Sequence, residues 1–119
     1  MGHVRIKVKV AHPERPDKAV EVPDALVDTG ASMTTIPRSI ANELGLRILG
    51  SQRARTASGD VTVDRSYAQL EYDGHVSVGD VAITDTYPGV LIGVLTLEGM
   101  SLAVDPKSGR LVDSELLLL

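Results

Sequence analysis

"DALVDTGASMTTIP" occupies residues 24–37, and its centre, Val27-Asp28-Thr29-Gly30-Ala31-Ser32, ends an apolar run on an ionisable carboxylate. A lone carboxylate taken out of water is costly, so such a group is usually paired or pushed to its neutral form. The plainest role for Asp28 is local: an Asp after a strand can cap the turn or helix that follows. A second role requires a partner, and nothing within the segment supplies one.

Outward from this stretch the pattern reads mainly β. Val4, Ile6, Val8 and Val10 alternate with Arg5, Lys7 and Lys9, which predicts a half-buried strand with a basic outer face. "AHPERPDK" (11–18) reads as a polar loop, and "AVEVPDALVD" (19–28) as one or two strands running into Asp28. In "IPRSIANELGL" (36–46), Ile36, Ile40 and Leu44 recur every four residues and predict a short helix, with Pro37 in its first turn and Gly45 as its C-cap. Ser58-Gly59-Asp60 and Asp73-Gly74 signal turns between extended segments. "HVSVGDVAI" (75–83) reads as a strand interrupted at Gly79-Asp80. A helical turn is expected after Gly93, and a hairpin with Pro106 to Gly109 at its turn. One domain is expected over residues 1–113, followed by an apolar tail over 114–119. "ALVDTG" and "VLIG" form a weak internal echo, each leading an apolar run to glycine.

Composition narrows the function classes. The chain has 119 residues, a size for one modest core, and with no Phe or Trp that core must be Val, Leu and Ile. A net charge of −4 disfavours a nucleic-acid partner. There is no Cys, so disulfides and thiolate metal sites are excluded. His3, His12 and His75 lack ligand spacing and are expected at the surface; Asp60 and Asp64 are expected to be solvated rather than a metal pair. No apolar stretch reaches the roughly 18 residues of a membrane span. A cytoplasmic protein is expected, with no membrane partner, no cofactor and no metal.

Asp28-Thr29-Gly30 after an apolar strand, then Ala31-Ser32, resembles the active-site motif of aspartic peptidases. The helix after the motif, the glycine-tipped hairpin roughly 30 residues on, and Leu91-Ile92-Gly93 roughly 60 residues on extend the resemblance to the single-domain, retropepsin-like branch, from about Val4 to Val112. The resemblance implies a small closed β-barrel of the retropepsin type with one or two short helices. It implies peptide hydrolysis by water held between two carboxylates, which together supply base and acid. Close like charges do not both ionise comfortably, so such a dyad shares one proton and titrates as a unit. This chain has a single Asp-Thr-Gly. The resemblance therefore implies a homodimer in which Asp28 of each copy meets at a two-fold axis.

By the same resemblance, Asp28, Thr29 and Gly30 are the catalytic motif. Gly30 N–H can hold the carboxylate in plane, Thr29 bonds across the dimer axis, and Ser32 stands where a donor to the outer carboxylate oxygen often lies. An extended peptide substrate would contact Val27, Ala31, Ser32 and Ile92 below, and the hairpin Ala57, Ser58, Gly59 and Asp60 above, as a flap. Val94 stands where retroviral enzymes usually carry Arg, the flap is polar, and the helix after the motif points to cellular relatives. "LVDSELLLL" could supply the interleaved terminal sheet of such a dimer, a loose end or a packed helical turn. Two other readings remain open: an inactive module of this fold that binds peptides or dimerises, and a structural β-barrel with no site.

Overall fold

The structure, a computed structural model, describes residues 4–115 and 118. Strand β1 (Val4–His12) shows the expected alternation, with Ile6, Val8 and Val10 buried and Arg5, Lys7 and Lys9 exposed. It turns at Pro13 and Glu14 into β2 (Arg15–Val27), which pairs antiparallel with it. The expected loop over 11–18 is thus mostly strand. Glu14 N–H donates to His12 Nδ1 at 3.0 Å and tightens the turn. Opposite β1, the register jumps from Ala25 to Val22, leaving Pro23 in a bulge where its missing N–H disturbs no ladder bond.

After the Asp28 loop come β3 (Thr34–Pro37) and helix α1 (Arg38–Leu44). The helix starts two residues later than its period suggests. Thr34 to Pro37 pair in parallel with Val81 to Thr84, and this pairing takes Ile36, wholly buried, into the sheet. Pro37 is extended at the N-cap (ψ 152°), and Gly45 closes the helix in the left-handed region (φ 65°). Strands β4 (Gly50–Thr56), β5 (Gly59–Tyr72) and β6 (His75–Thr84) follow as consecutive hairpins. Asp73 and Gly74, both at positive φ, form the tight β5–β6 turn. The interruption expected at Gly79-Asp80 is absent, because both residues stay paired with Ala68 and Tyr67.

The chain finishes with β7 (Leu91–Ile92), α2 (Val94–Gly99), and the separate hairpin β8 (Leu102–Val104) and β9 (Leu111–Asp113). The main sheet runs β1-β2-β7-β3-β6-β5-β4, and an added β1–β5 pairing closes six of these strands into a ring, leaving β4 as a free edge. Inside the ring lie Val8, Val10, Ile36, Leu70, Val81, Ile83, Val90 and Ile92. Of the expected tail, Ser114, Glu115 and Leu118 are exposed, while Leu116, Leu117 and Leu119 lie outside the described residues, as does His3.

A core without large aromatics leaves each aliphatic side chain a large share of the packing. Ile83→Ala, at a fully buried site, is expected to lower unfolding free energy by about 2–5 kcal/mol, and Ile83→Val by about 0.5–1.5 kcal/mol, measured by urea denaturation.

Candidate active site

The end of β2 lies in parallel against β7, with Leu26 beside Leu91 and Val27 beside Ile92. The two stretches of the sequence echo are therefore neighbours in space. Leu26 N–H donates to Val90 O and Asp28 N–H to Ile92 O, both at 2.9 Å. Past this pairing the chain turns sharply, and Ala31 N–H donates back to Asp28 O at 3.1 Å. Gly30 N–H donates to Asp28 Oδ1 at 2.9 Å, fixing the carboxylate's orientation. A Cβ at Gly30 would stand 3.2 Å from that oxygen. Asp28 is half-buried, while Thr29 and Gly30 are exposed. The site is a carboxylate held by backbone at the mouth of an exposed turn.

The start of α2 fastens the other side of this loop. Val94 N–H donates to Ala31 O at 2.9 Å and Leu95 N–H to Ser32 O at 3.0 Å. Gly93 N–H donates to Thr34 Oγ1 at 3.0 Å, and that hydroxyl lies 2.6 Å from Thr96 Oγ1, with both threonines buried. A Cβ on Gly93 would fall 2.6 Å from the carbonyl carbon of Met33, so only glycine fits where the two segments cross. Sequence reasoning missed Thr34 and Thr96. The available signal was a hydroxyl residue on the core side of each element, where its polar atom must find a partner.

The other candidates distribute as follows. Val27 and Ile92 belong to the core, Ile92 with no exposed surface. Ala31 is half-buried, and Ser32 is exposed and engaged through its carbonyl. Ala57 and Ser58 form the tip of the β4–β5 hairpin, and Gly59 (φ 122°) and Asp60 open β5, so the turn sits one to two residues earlier than Ser58-Gly59-Asp60 suggests. Thr56 Oγ1 accepts Ser58 N–H at 3.2 Å and donates to Gly59 O at 2.8 Å. Among the described residues, the hydrogen bonds of residues 57–60 stay within the hairpin.

At the hairpin's base, Arg38 on α1 grips Asp85 through both carboxylate oxygens (2.7 and 3.0 Å) and reaches Asp64 at 3.0 Å. Ser51 Oγ donates to Asp64 at 2.7 Å. Asp64 is thus anchored rather than simply solvated. Its carboxyl is held below the usual range first by the Ser51 hydroxyl and then by Arg38, and Asp85 is lowered by Arg38. Among the described residues, no group of three or more His, Cys, Asp or Glu could hold a metal ion.

A family model described as aspartyl protease matches residues 15–110. No curated protein sequence matches the chain. Among solved structures it is similar to EIAV protease, solved with the inhibitor HBY-793, at 17% identity and a TM-score of 0.67, over 98% of this chain and 94% of that one. Simian foamy virus (mac) protease is similar at 17% identity and a TM-score of 0.58, over 80% of this chain and 92% of that chain. A retropepsin-like aspartic protease from Rickettsia conorii is similar at 19% identity and a TM-score of 0.55, over 82% of this chain and 70% of that one. At these identities the likeness is one of fold.

Two outcomes follow from this geometry. Thr34→Val keeps the shape but strands Gly93 N–H, and is expected to cost about 1–3 kcal/mol in chemical denaturation, with Thr34→Ser recovering most of it. Gly93→Ala should destabilise by a similar ~1–3 kcal/mol through the clash with Met33. For the ion cluster, lowered carboxyls stabilise the fold above their unfolded values and lose that effect as pH falls through the folded ones. Arg38→Gln should therefore be less stable than the parent at pH 7, with the gap closing in denaturation curves as pH falls below the ordinary carboxylate range of about 4.

Proposed function

The chain belongs to the aspartyl protease family and has a retropepsin-like fold, and from that premise we propose that it is an aspartic endopeptidase whose site is completed by a second copy of itself. The observation that carries this reading is the Asp28 loop. Its carboxylate is held in one orientation by Gly30 N–H and sits half-exposed on a turn. The chain has one Asp-Thr-Gly, so a two-fold axis through the exposed Thr29-Gly30 turn brings the second carboxylate from an identical loop.

In that arrangement the two Asp28 side chains share one proton and hold a water between them. The ionised carboxylate takes a proton from the water as its oxygen attacks the peptide carbonyl carbon. The protonated partner hydrogen-bonds the carbonyl oxygen as charge grows there. Collapse of the tetrahedral intermediate breaks the C–N bond while a dyad proton passes to the leaving nitrogen. One water is consumed, one carboxylic acid and one amine form, and the dyad regains its single proton. The protein's task is orientation, which fits a carboxylate fixed by backbone N–H rather than by a mobile side chain.

The substrate in this reading is an extended peptide, paired through its backbone between the Asp28 loop and the β4–β5 hairpin. Ala31 and Ser32 form the floor beside the dyad, with Val27 and Ile92 supporting it from the core. Ala57, Ser58, Gly59 and Asp60 lie on the hairpin that closes as a flap and excludes water. Thr29 of each copy bonds across the axis.

Asp28→Asn removes the acid-base pair without changing shape. It is expected to lower peptide cleavage by about 10²-fold or more while leaving the melting temperature close to the parent's. Sedimentation of the parent should show a dimer under the conditions where it cleaves. Undiminished cleavage by the Asn variant, or by a strictly monomeric parent, overturns the reading.

A further inference from the structure

The hairpin that would cover the substrate carries a charge pattern with a consequence for specificity. Strand β5 pairs first with β4 and then with β6 without a register shift, so alternation holds one face constant along its length. Ser66, Ala68 and Leu70 on that face are buried, and Ala68 and Leu70 belong to the central core. Asp64 lies opposite Ile83, another core residue. The same face therefore runs on to Thr62 and Asp60 near the tip, together with their cross-strand neighbours Arg53 and Arg55. Val63, on the opposite face, is buried but stands apart from the central core. The hairpin surface continuous with the interior of the ring is thus Ser51, Arg53, Arg55, Asp60, Thr62 and Asp64, polar throughout.

Carboxylates outnumber guanidinium groups at the base of this surface, and the reverse holds at the tip. Asp64 and Asp85 enclose Arg38 at the base. At the tip one carboxylate, Asp60, faces two guanidinium groups. Arg53 Nη2 bonds Asp60 Oδ2 at 3.1 Å, while Arg55 Nε stands 3.7 Å from Oδ1, beyond hydrogen-bond reach. The Arg53 and Arg55 side chains are 82% and 90% exposed. Arg55 thus presents its planar fork of donors to solvent, a geometry matched to a carboxylate.

We propose that Arg53 and Arg55 read an acidic side chain on the bound peptide, so that the substrates are acidic peptides. The inference rests on the peptidase reading of the same site. An extended peptide presents alternate side chains upward and downward, and the floor is already negative at Asp28. A Glu or Asp side chain is therefore favoured on the upward face, where it meets the unmatched guanidinium, and a Lys there is repelled. Closing the hairpin removes water and strengthens both effects.

Matched peptides carrying Glu, Gln or Lys at each upward-facing position test this with the full-length chain. The expected kcat/KM is about five- to tenfold higher for Glu than for Gln, with Lys below Gln. The ratio should shrink as salt rises to about 0.5 M. Arg53→Gln combined with Arg55→Gln should bring the Glu:Gln ratio close to one, and Arg55→Lys should retain part of it. Equal cleavage of Glu and Gln peptides by the parent, or an unchanged ratio in the double variant, overturns the proposal. Binding of the same labelled peptides to Asp28→Asn, read by fluorescence anisotropy, separates the two ideas. Preferential binding of Glu peptides by a chain whose parent cleaves nothing upholds the charge reading and removes the peptidase one. Cleavage by the parent with no charge preference does the reverse.

Discussion

The bond from Asp28 N–H to the Ile92 carbonyl is the point on which the site turns. It continues the short parallel seam between β2 and β7 by one residue, just where β2 stops being a strand. Because the seam fixes the backbone at Asp28, the chain beyond can turn, and Gly30 N–H can fold back onto the carboxylate. The neighbouring bonds from Val94, Leu95 and Gly93 hold the far side of the turn. The loop is therefore clamped from both ends by one stretch of chain, residues 90–96. That stretch can lie so close only because residue 93 lacks a Cβ.

This arrangement explains why the seam contains buried polar atoms in an otherwise aliphatic core. Gly93 N–H points inward at the crossing and has no strand neighbour to receive it. Thr34 Oγ1 accepts it, and Thr96 Oγ1 completes the hydroxyl's own bonding. An unpaired N–H at that depth would cost free energy comparable to several buried methyl groups of packing. The two threonines hold the loop's support without bonding to the Asp28 carboxylate.

Local features were legible in the sequence because short-range chemistry specifies them. Alternation marked β1, the Asp73-Gly74 pair marked its hairpin, Gly45 ended α1, and the helical turn after Gly93 is α2. The Asp28 loop was legible from its motif. Pairing partners were not, since nothing in residues 24–28 says that 90–92 will lie beside them in parallel. Ile36 shows the limit clearly. Its spacing to Ile40 and Leu44 suits a helix, yet pairing with β6 holds it in a strand. The hydroxyl pair Thr34–Thr96 was invisible for the same reason, since its members are remote in the chain and become neighbours only once the ring is closed.

The parallel seam also sets an order on the chain's own making. Leu26 and Val27 are synthesised early, but the residues that grip the Asp28 loop come from 90–96, near the end of the described chain. Joining such distant segments requires closing a long loop, an entropic cost that local hairpins such as β5–β6 do not face. A nascent or truncated polypeptide that stops before residue 90 has the whole motif in its sequence, with the bonds made inside residues 28–31, but none of those that clamp the turn from 90–96. The Asp28 carboxylate therefore has its loop clamped from both ends only once residues 90–96 have been joined to the chain.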